Sequence, residues 1–290
     1  MDILTLLTAP TNLLLSTAIA AVVSAGVSYF FKRYETRDRL KAEYEYEQKK
    51  RLKELIGRYH GRLLQASANL SARLWNLYQN ESQGWLNMGG DYKDAGYYFS
   101  STVYRFLHVF TLLRGFETEA IFLDQRIANK ENFVFLHYTA ALRWTITDVG
   151  LFRGLEYDAF YPTDHFFSDA LRQCCDSCWI DADFLSMEAL AERIQEDRSL
   201  DDILRFFDGL RKDEDRLRWD RVVALHLLLA AFINAFGYET QSTTRGELEQ
   251  IAVQAQHPEI LNNLSAGLPS LGLGKEPSAA VVAKVIGKPD

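Results

Sequence analysis

Three cysteines fall within five residues, Cys174, Cys175 and Cys178, and the chain has no others. On a helix, positions 174 and 178 share a face and 175 and 178 nearly do. With His165 they would offer three sulfurs and one nitrogen, a donor set suited to zinc. Knuckle-type zinc sites usually take ligands from two separate elements, and a second pair is absent here. The residues are therefore read as thiols buried in an aromatic core, with no metal and no cofactor. Redox sensing through the CxxC pair is a weaker reading than core packing. An odd count in one short run is no disulfide framework and fits a reducing compartment. Asp201-Asp202 and Asp213-Glu214-Asp215 sit at helix starts, where the helix dipole favours negative charge. Arg153, in Phe152-Arg153-Gly154, is placed to pair with Asp148, Glu156 or Asp158 at a corner that Gly154 permits. A Gly-rich phosphate loop, an HExxH pair and a nucleophile elbow are all missing.

Arg221 and His226 form an Arg-x4-His, RVVALH, on a helix. That spacing resembles the motif of HEPN ribonucleases, all-α proteins in which Arg and His converge across a dimer to cleave RNA. Val222 departs from the pattern, since a polar residue is common there. The resemblance implies a membrane-tethered ribonuclease or other defence effector with Arg221 and His226 as its catalytic pair. This stands as the alternative. The preferred reading places His226 in the interior of a Leu- and Ala-rich helix and Arg221 among its charged first turns.

What positions all of these begins with Thr11–Phe31, TNLLLSTAIAAVVSAGVSYFF, 21 residues without a charge. An α-helix of that length crosses a bilayer at about 1.5 Å per residue. Before it lies one side-chain charge, Asp2; just after it come Lys32, Arg33, Arg37, Arg39 and Lys41. Positive charge collects on the cytoplasmic side, so the N-terminus is expected outside and the main body in the cytoplasm, in a single pass through the cell inner membrane. A cleavable signal peptide would carry its positive charge before the apolar core, not after it. Small residues recur at Ser16, Ala20, Ser24 and Ser28, an arrangement that lets two membrane helices approach. Self-assembly is one expectation and an unidentified protein partner another. The net charge of −7 argues against general nucleic-acid binding.

Behind the anchor, Lys32 to Arg51 mixes both signs of charge and has few aliphatic residues, which suits a solvated helical stalk. From Leu52 the apolar residues step by three and four: Leu55, Tyr59, Leu63, Ala66, Leu70, Leu74, Leu77. That rhythm marks an amphipathic helix. Gly57 and Gly61 suggest close packing or a bend. Asn80–Asp94 reads as a loop. An aromatic, mostly buried helix is expected over Ala95–Gln125, divided by Gly115, and a third over Asn132–Val149. Thr163 or Asp164 is expected to cap a fourth helix carrying the cysteines; Ser186 and Ser199 are expected to cap two more. Asp215–Phe236 is the last strong helix, and Gly237 ends it. No stretch sustains period-two alternation. The expected fold class is all-α, with one N-terminal transmembrane helix, a helical stalk and an irregular cytoplasmic helical bundle. The expected segments are a short extracytoplasmic end (1–10), the anchor (11–31), the stalk (32–51), the cytoplasmic domain (52–240), and a short helix with a flexible tail (241–290).

Arg62–Asn80, Tyr97–Asp124 and Asp148–Phe160, taken together, resemble a bacterial family of uncharacterised single-pass membrane proteins with an all-helical cytoplasmic domain. The resemblance covers roughly Gly61 to Phe167. It implies the architecture and brings no catalytic residue with it. The preferred function is thus a membrane-anchored helical interaction or scaffold protein, more in keeping with a binding protein than an enzyme.

Overall fold

A computed structural model describes residues 3–93, 95–121, 123–124, 129–157, 164, 166–180 and 183–287, with side chains from Thr17 onward. The described residues hold ten α-helices and one small antiparallel ribbon, so the chain is all-α. They divide into two compact units, up to Arg51 and from Leu52. The first helix, α1 (Ile3–Asn80), runs through the division.

From Thr17 to Arg51, α1 buries almost nothing. Ile19, Val22, Phe30 and Phe31 are 58%, 73%, 70% and 72% exposed. Further along, Arg39–Glu43 and Glu47–Arg51 are ion pairs one turn apart on an exposed face. Such pairs support a solvated helix by only about 0.3–0.5 kcal/mol each.

The second unit packs around two helices. The stripe on α1 from Leu52 to Leu77 is buried throughout, as its three-and-four spacing requires. Beside it lies α2 (Tyr97–Ala120), with Phe99, Val103, Phe106, Phe110, Leu113 and Phe116 in the core. α2 is not divided at Gly115. A Cβ there would stand 2.8 Å from the Trp179 ring and 2.9 Å from the Tyr59 hydroxyl, so this glycine admits two aromatic neighbours rather than ending the helix. Gly57 and Gly61 lie on the exposed face of α1 with open space around them, and serve neither close packing nor a break.

α3 (Lys130–Thr147) is capped by Asn129, whose side chain accepts from Asn132 N at 2.7 Å. α4 (Ser168–Ser177) follows Phe167; Thr163 lies outside the described residues, and the Asp164 carboxylate binds Arg216 instead of capping. The ribbon β1 (Trp179–Ile180) and β2 (Asp183–Phe184), too short to show an alternating pattern, pairs Trp179 with Phe184. α5 (Met187–Glu196) begins at the expected cap, Ser186. α6 (Asp201–Phe207) is entered through a 3-10 turn at Arg198–Leu200, capped by Asp197 rather than Ser199.

α7 (Arg218–Phe236) is the core helix, buried from Arg218 to Ile233. Among the described residues it is the one helix long and apolar enough to cross a membrane, but 83% of that stretch is covered by the protein itself. α8 (Arg245–Ala252), α9 (Pro258–Gly267) and α10 (Pro277–Ile286) follow. The expected flexible tail is therefore corrected. α10 packs on α7, α8 and α9 and buries Ala279, Val282, Val285 and Ile286. Pro258 and Pro277 occupy first helical turns, where the missing N–H costs nothing.

Candidate functional site

The cysteines are interior groups. Cys174 and Cys175 lie on α4 and Cys178 just past its end, with exposures of 0%, 2% and 0%. Cys174 Sγ donates to the Ser199 carbonyl at 2.8 Å. Burial pushes the Cys174 thiol up to about 12 and the Cys178 thiol up to about 11, and raises Cys175 as well. Thiolate chemistry needs the opposite shift. His165, the fourth ligand of the zinc alternative, lies outside the described residues. Among the described residues, no group of three or more His, Cys, Asp or Glu could hold a metal ion.

Arg221 and His226 share α7, but five residues separate them by about 140° around the helix. Arg221 is fully buried. It donates through Nε to the Asp164 carbonyl (2.8 Å), through Nη1 to the Thr145 carbonyl (2.6 Å) and through Nη2 to the Asp148 carbonyl (3.2 Å). Its guanidinium carbon lies 4.1 Å from the centre of the Phe152 ring. Burial lowers its pKa to about 9, which leaves it charged at neutral pH. His226 faces α1: Nε2 meets Ser71 Oγ at 2.9 Å, and Nδ1 meets the Tyr78 hydroxyl at 3.2 Å. The two side chains have separate hydrogen-bond partners, main-chain carbonyls for Arg221 and the Ser71 and Tyr78 hydroxyls for His226.

At the Phe152-Arg153-Gly154 corner no ion pair joins Arg153 to Asp148 or Glu156 among the described residues, and Asp158 lies outside them. Asp148 caps the 3-10 turn Val149–Phe152 through Gly150 N at 2.6 Å, and Gly154 turns with φ 86°. Asn263 Nδ2 donates to the Leu151 and Arg153 carbonyls at 3.0 and 2.9 Å. The arginine that secures the corner is Arg221, through Phe152.

Burial holds the His226 pKa down at about 3. The unfolded chain takes up that proton near pH 6.5, while the folded chain stays neutral. The stabilisation is complete above about pH 6.5 and falls by about 1.4 kcal/mol per pH unit toward pH 3. Urea unfolding of the wild type and of His226→Gln across that range should give steeper acid loss for the wild type. Parallel curves would show that the imidazole protonates in the folded state.

A surface feature has more to offer. Three elements meet at a groove of about 380 Å³ whose lining includes Arg73 and Asn76 of α1, Trp85 of the loop, and Tyr98 and Arg105 of α2. The Trp85 and Tyr98 rings lie 4.8 Å apart and also border a second hollow of about 390 Å³. Trp85 is 45% exposed. Its loop is nonetheless pinned, because the Asp208 carboxylate accepts from Met88 N (2.7 Å), Gly89 N (3.1 Å), Gly90 N (2.8 Å) and the Tyr92 hydroxyl (3.2 Å). Leu86, next to Trp85, is buried and its carbonyl accepts from Gly209 N at 2.8 Å. From the sequence alone, Asn80–Asp94 reads as a plain loop. A tryptophan within NESQGWLNMGGDYKD was the available signal. Comparison with family models, with curated proteins and with solved structures finds no match for this chain.

Proposed function

We propose that the protein is a membrane-anchored helical module that binds a protein partner. One observation carries the anchoring: the apolar side chains of α1 between Ile19 and Phe31 are exposed. A helix that is apolar on all sides and uncovered is stable in hydrocarbon, where it satisfies its own backbone hydrogen bonds. The absence of charge from Thr11 to Phe31 and the positive cluster from Lys32 support a single pass with the N-terminus out. Partner binding draws its support from the groove at Trp85. The small residues Ala20, Ser24 and Ser28 support self-assembly through the anchor.

The test is extraction of membranes holding the full-length chain. The protein should stay in the membrane through high salt and alkaline carbonate. A reporter after Asp290 should be active only if it is a cytoplasmic type, and removing Met1–Phe31 should release a soluble helical protein. Charges at Ala20 and Ser24 should impair insertion. A full-length protein that washes off, or a reporter found outside, would overturn the reading.

A further inference from the structure

Two arginines that line the Trp85 groove make no ion pair among the described residues. Arg73 lies with its guanidinium carbon 4.3 Å from the centre of the Tyr98 ring and donates through Nη2 to Ser101 Oγ at 2.9 Å. Arg105 donates through Nη1 to the Ser101 carbonyl at 2.8 Å. Among the described residues neither makes an ion pair, whereas Arg58, Arg62, Arg114, Arg143, Arg216 and Arg218 each do. Each therefore keeps most of its five donors. This concentration of positive charge belongs to a chain whose net charge is −7.

We propose that the groove docks an acidic segment of a partner protein, with a carboxylate held by Arg73 and Arg105 and an apolar or aromatic side chain laid against Trp85. This rests on the partner-binding reading above and names the partner's chemistry. Arg paired with carboxylate gives strong, directional hydrogen bonds. Trp, Tyr and Arg are the residue types that carry most binding energy at protein interfaces. The Asp208 clamp on the Trp85 loop means that little conformational freedom is lost on binding. Asn69, Asn76 and Trp85 are exposed, so the groove is too open to enclose most of a small ligand, as small-molecule sites do. A nucleic-acid strand would call for a run of cations along its phosphates, and this groove has two arginines and no lysine.

The test uses the full-length chain in detergent micelles and a displayed library of random short peptides, so it does not depend on membrane insertion. Enriched peptides should carry Asp or Glu beside an aromatic or apolar residue. Made synthetically, they should bind the wild type at least about tenfold more tightly than they bind Arg73→Gln/Arg105→Gln, and Trp85→Ala should lose a similar factor. The same peptides with every Glu and Asp changed to Gln and Asn should lose binding to the unaltered protein, which keeps the result independent of how the variants fold. Raising salt to about 1 M should weaken the binding. Failure to enrich any peptide, enrichment without acidic residues, or equal affinity for the arginine variant would overturn the proposal. So would oligouridylate binding that is abolished in the same variant, since it would assign the groove to RNA. If peptides bind as expected while the chain washes off membranes, the groove stands and the anchor fails.

Discussion

Replacing Arg221 with methionine should lower stability by about 3–5 kcal/mol, because three carbonyls, two in buried bonds and one part-buried, lose their donor at roughly 1–3 kcal/mol for each buried one. Those carbonyls belong to Thr145, Asp148 and Asp164, which flank the 3-10 turn and the corner after α3. Phe152 also loses the guanidinium lying on its ring. The methionine fills a comparable volume, so the loss reports hydrogen bonds more than a cavity. Asp164 keeps Arg216 at 3.0 Å, so its carboxylate is not left unpaired. Arg221→Lys should recover only part of the loss, since an ammonium cannot reach three carbonyls in the plane of a fork or stack as guanidinium does. Urea unfolding gives the measurement. The same variants separate the structural from the nuclease reading. A catalytic Arg221 would leave the midpoint near that of the wild type and abolish metal-independent RNA cleavage. A structural Arg221 would move the midpoint, with no such cleavage to lose.

Periodicity explains what could be read in advance. Leu52 to Leu77 repeat every three or four residues, so their burial on one face followed from helix geometry alone. Ser186 was legible as a cap because a side-chain oxygen before an apolar period has one evident use. The cysteines' burial was foreshadowed by their aromatic surroundings. The partners of Arg221 could not be read, because they are main-chain carbonyls from distant segments and no residue type encodes them. The same holds for Asp208, whose partners are three main-chain amides and the Tyr92 hydroxyl, 116 to 120 residues away. The groove at Trp85 needs α1, a loop and α2 brought together, and only tertiary packing does that. Gly115 shows how one residue type misleads: glycine marks a break in one setting and a close approach in another, and only the neighbours Trp179 and Tyr59 decide. Pro277 misleads in the same way within the stretch expected to be a flexible tail: it resembles linker punctuation until the apolar residues after it are counted at helical spacing.

Removing Pro277–Asp290 should therefore destabilise the second unit by about 5 kcal/mol or more, on the order of its whole margin. Val282, Val285 and Ile286 are buried, and burial of a Val or Ile side chain stabilises by about 1.5–3 kcal/mol. Deletion also uncovers apolar faces of α7 and α8 that α10 now covers. The start of α10 is tied to the core as well. Glu276 accepts from Ala279 N at 2.7 Å and takes the hydroxyl of Tyr138, a fully buried residue of α3. Without Ala279 the cap has nothing to cap, and the Tyr138–Glu276 contact loses the helix that holds it in place. Val282→Asp should have a comparable effect within the full-length chain, because it puts a carboxylate where a 1% exposed valine now sits. Limited proteolysis separates the alternatives directly. A loose tail would be clipped first, and its loss would leave the melting temperature unchanged. A docked α10 resists cleavage in the native protein, and both the truncated chain and Val282→Asp melt early or fail to fold.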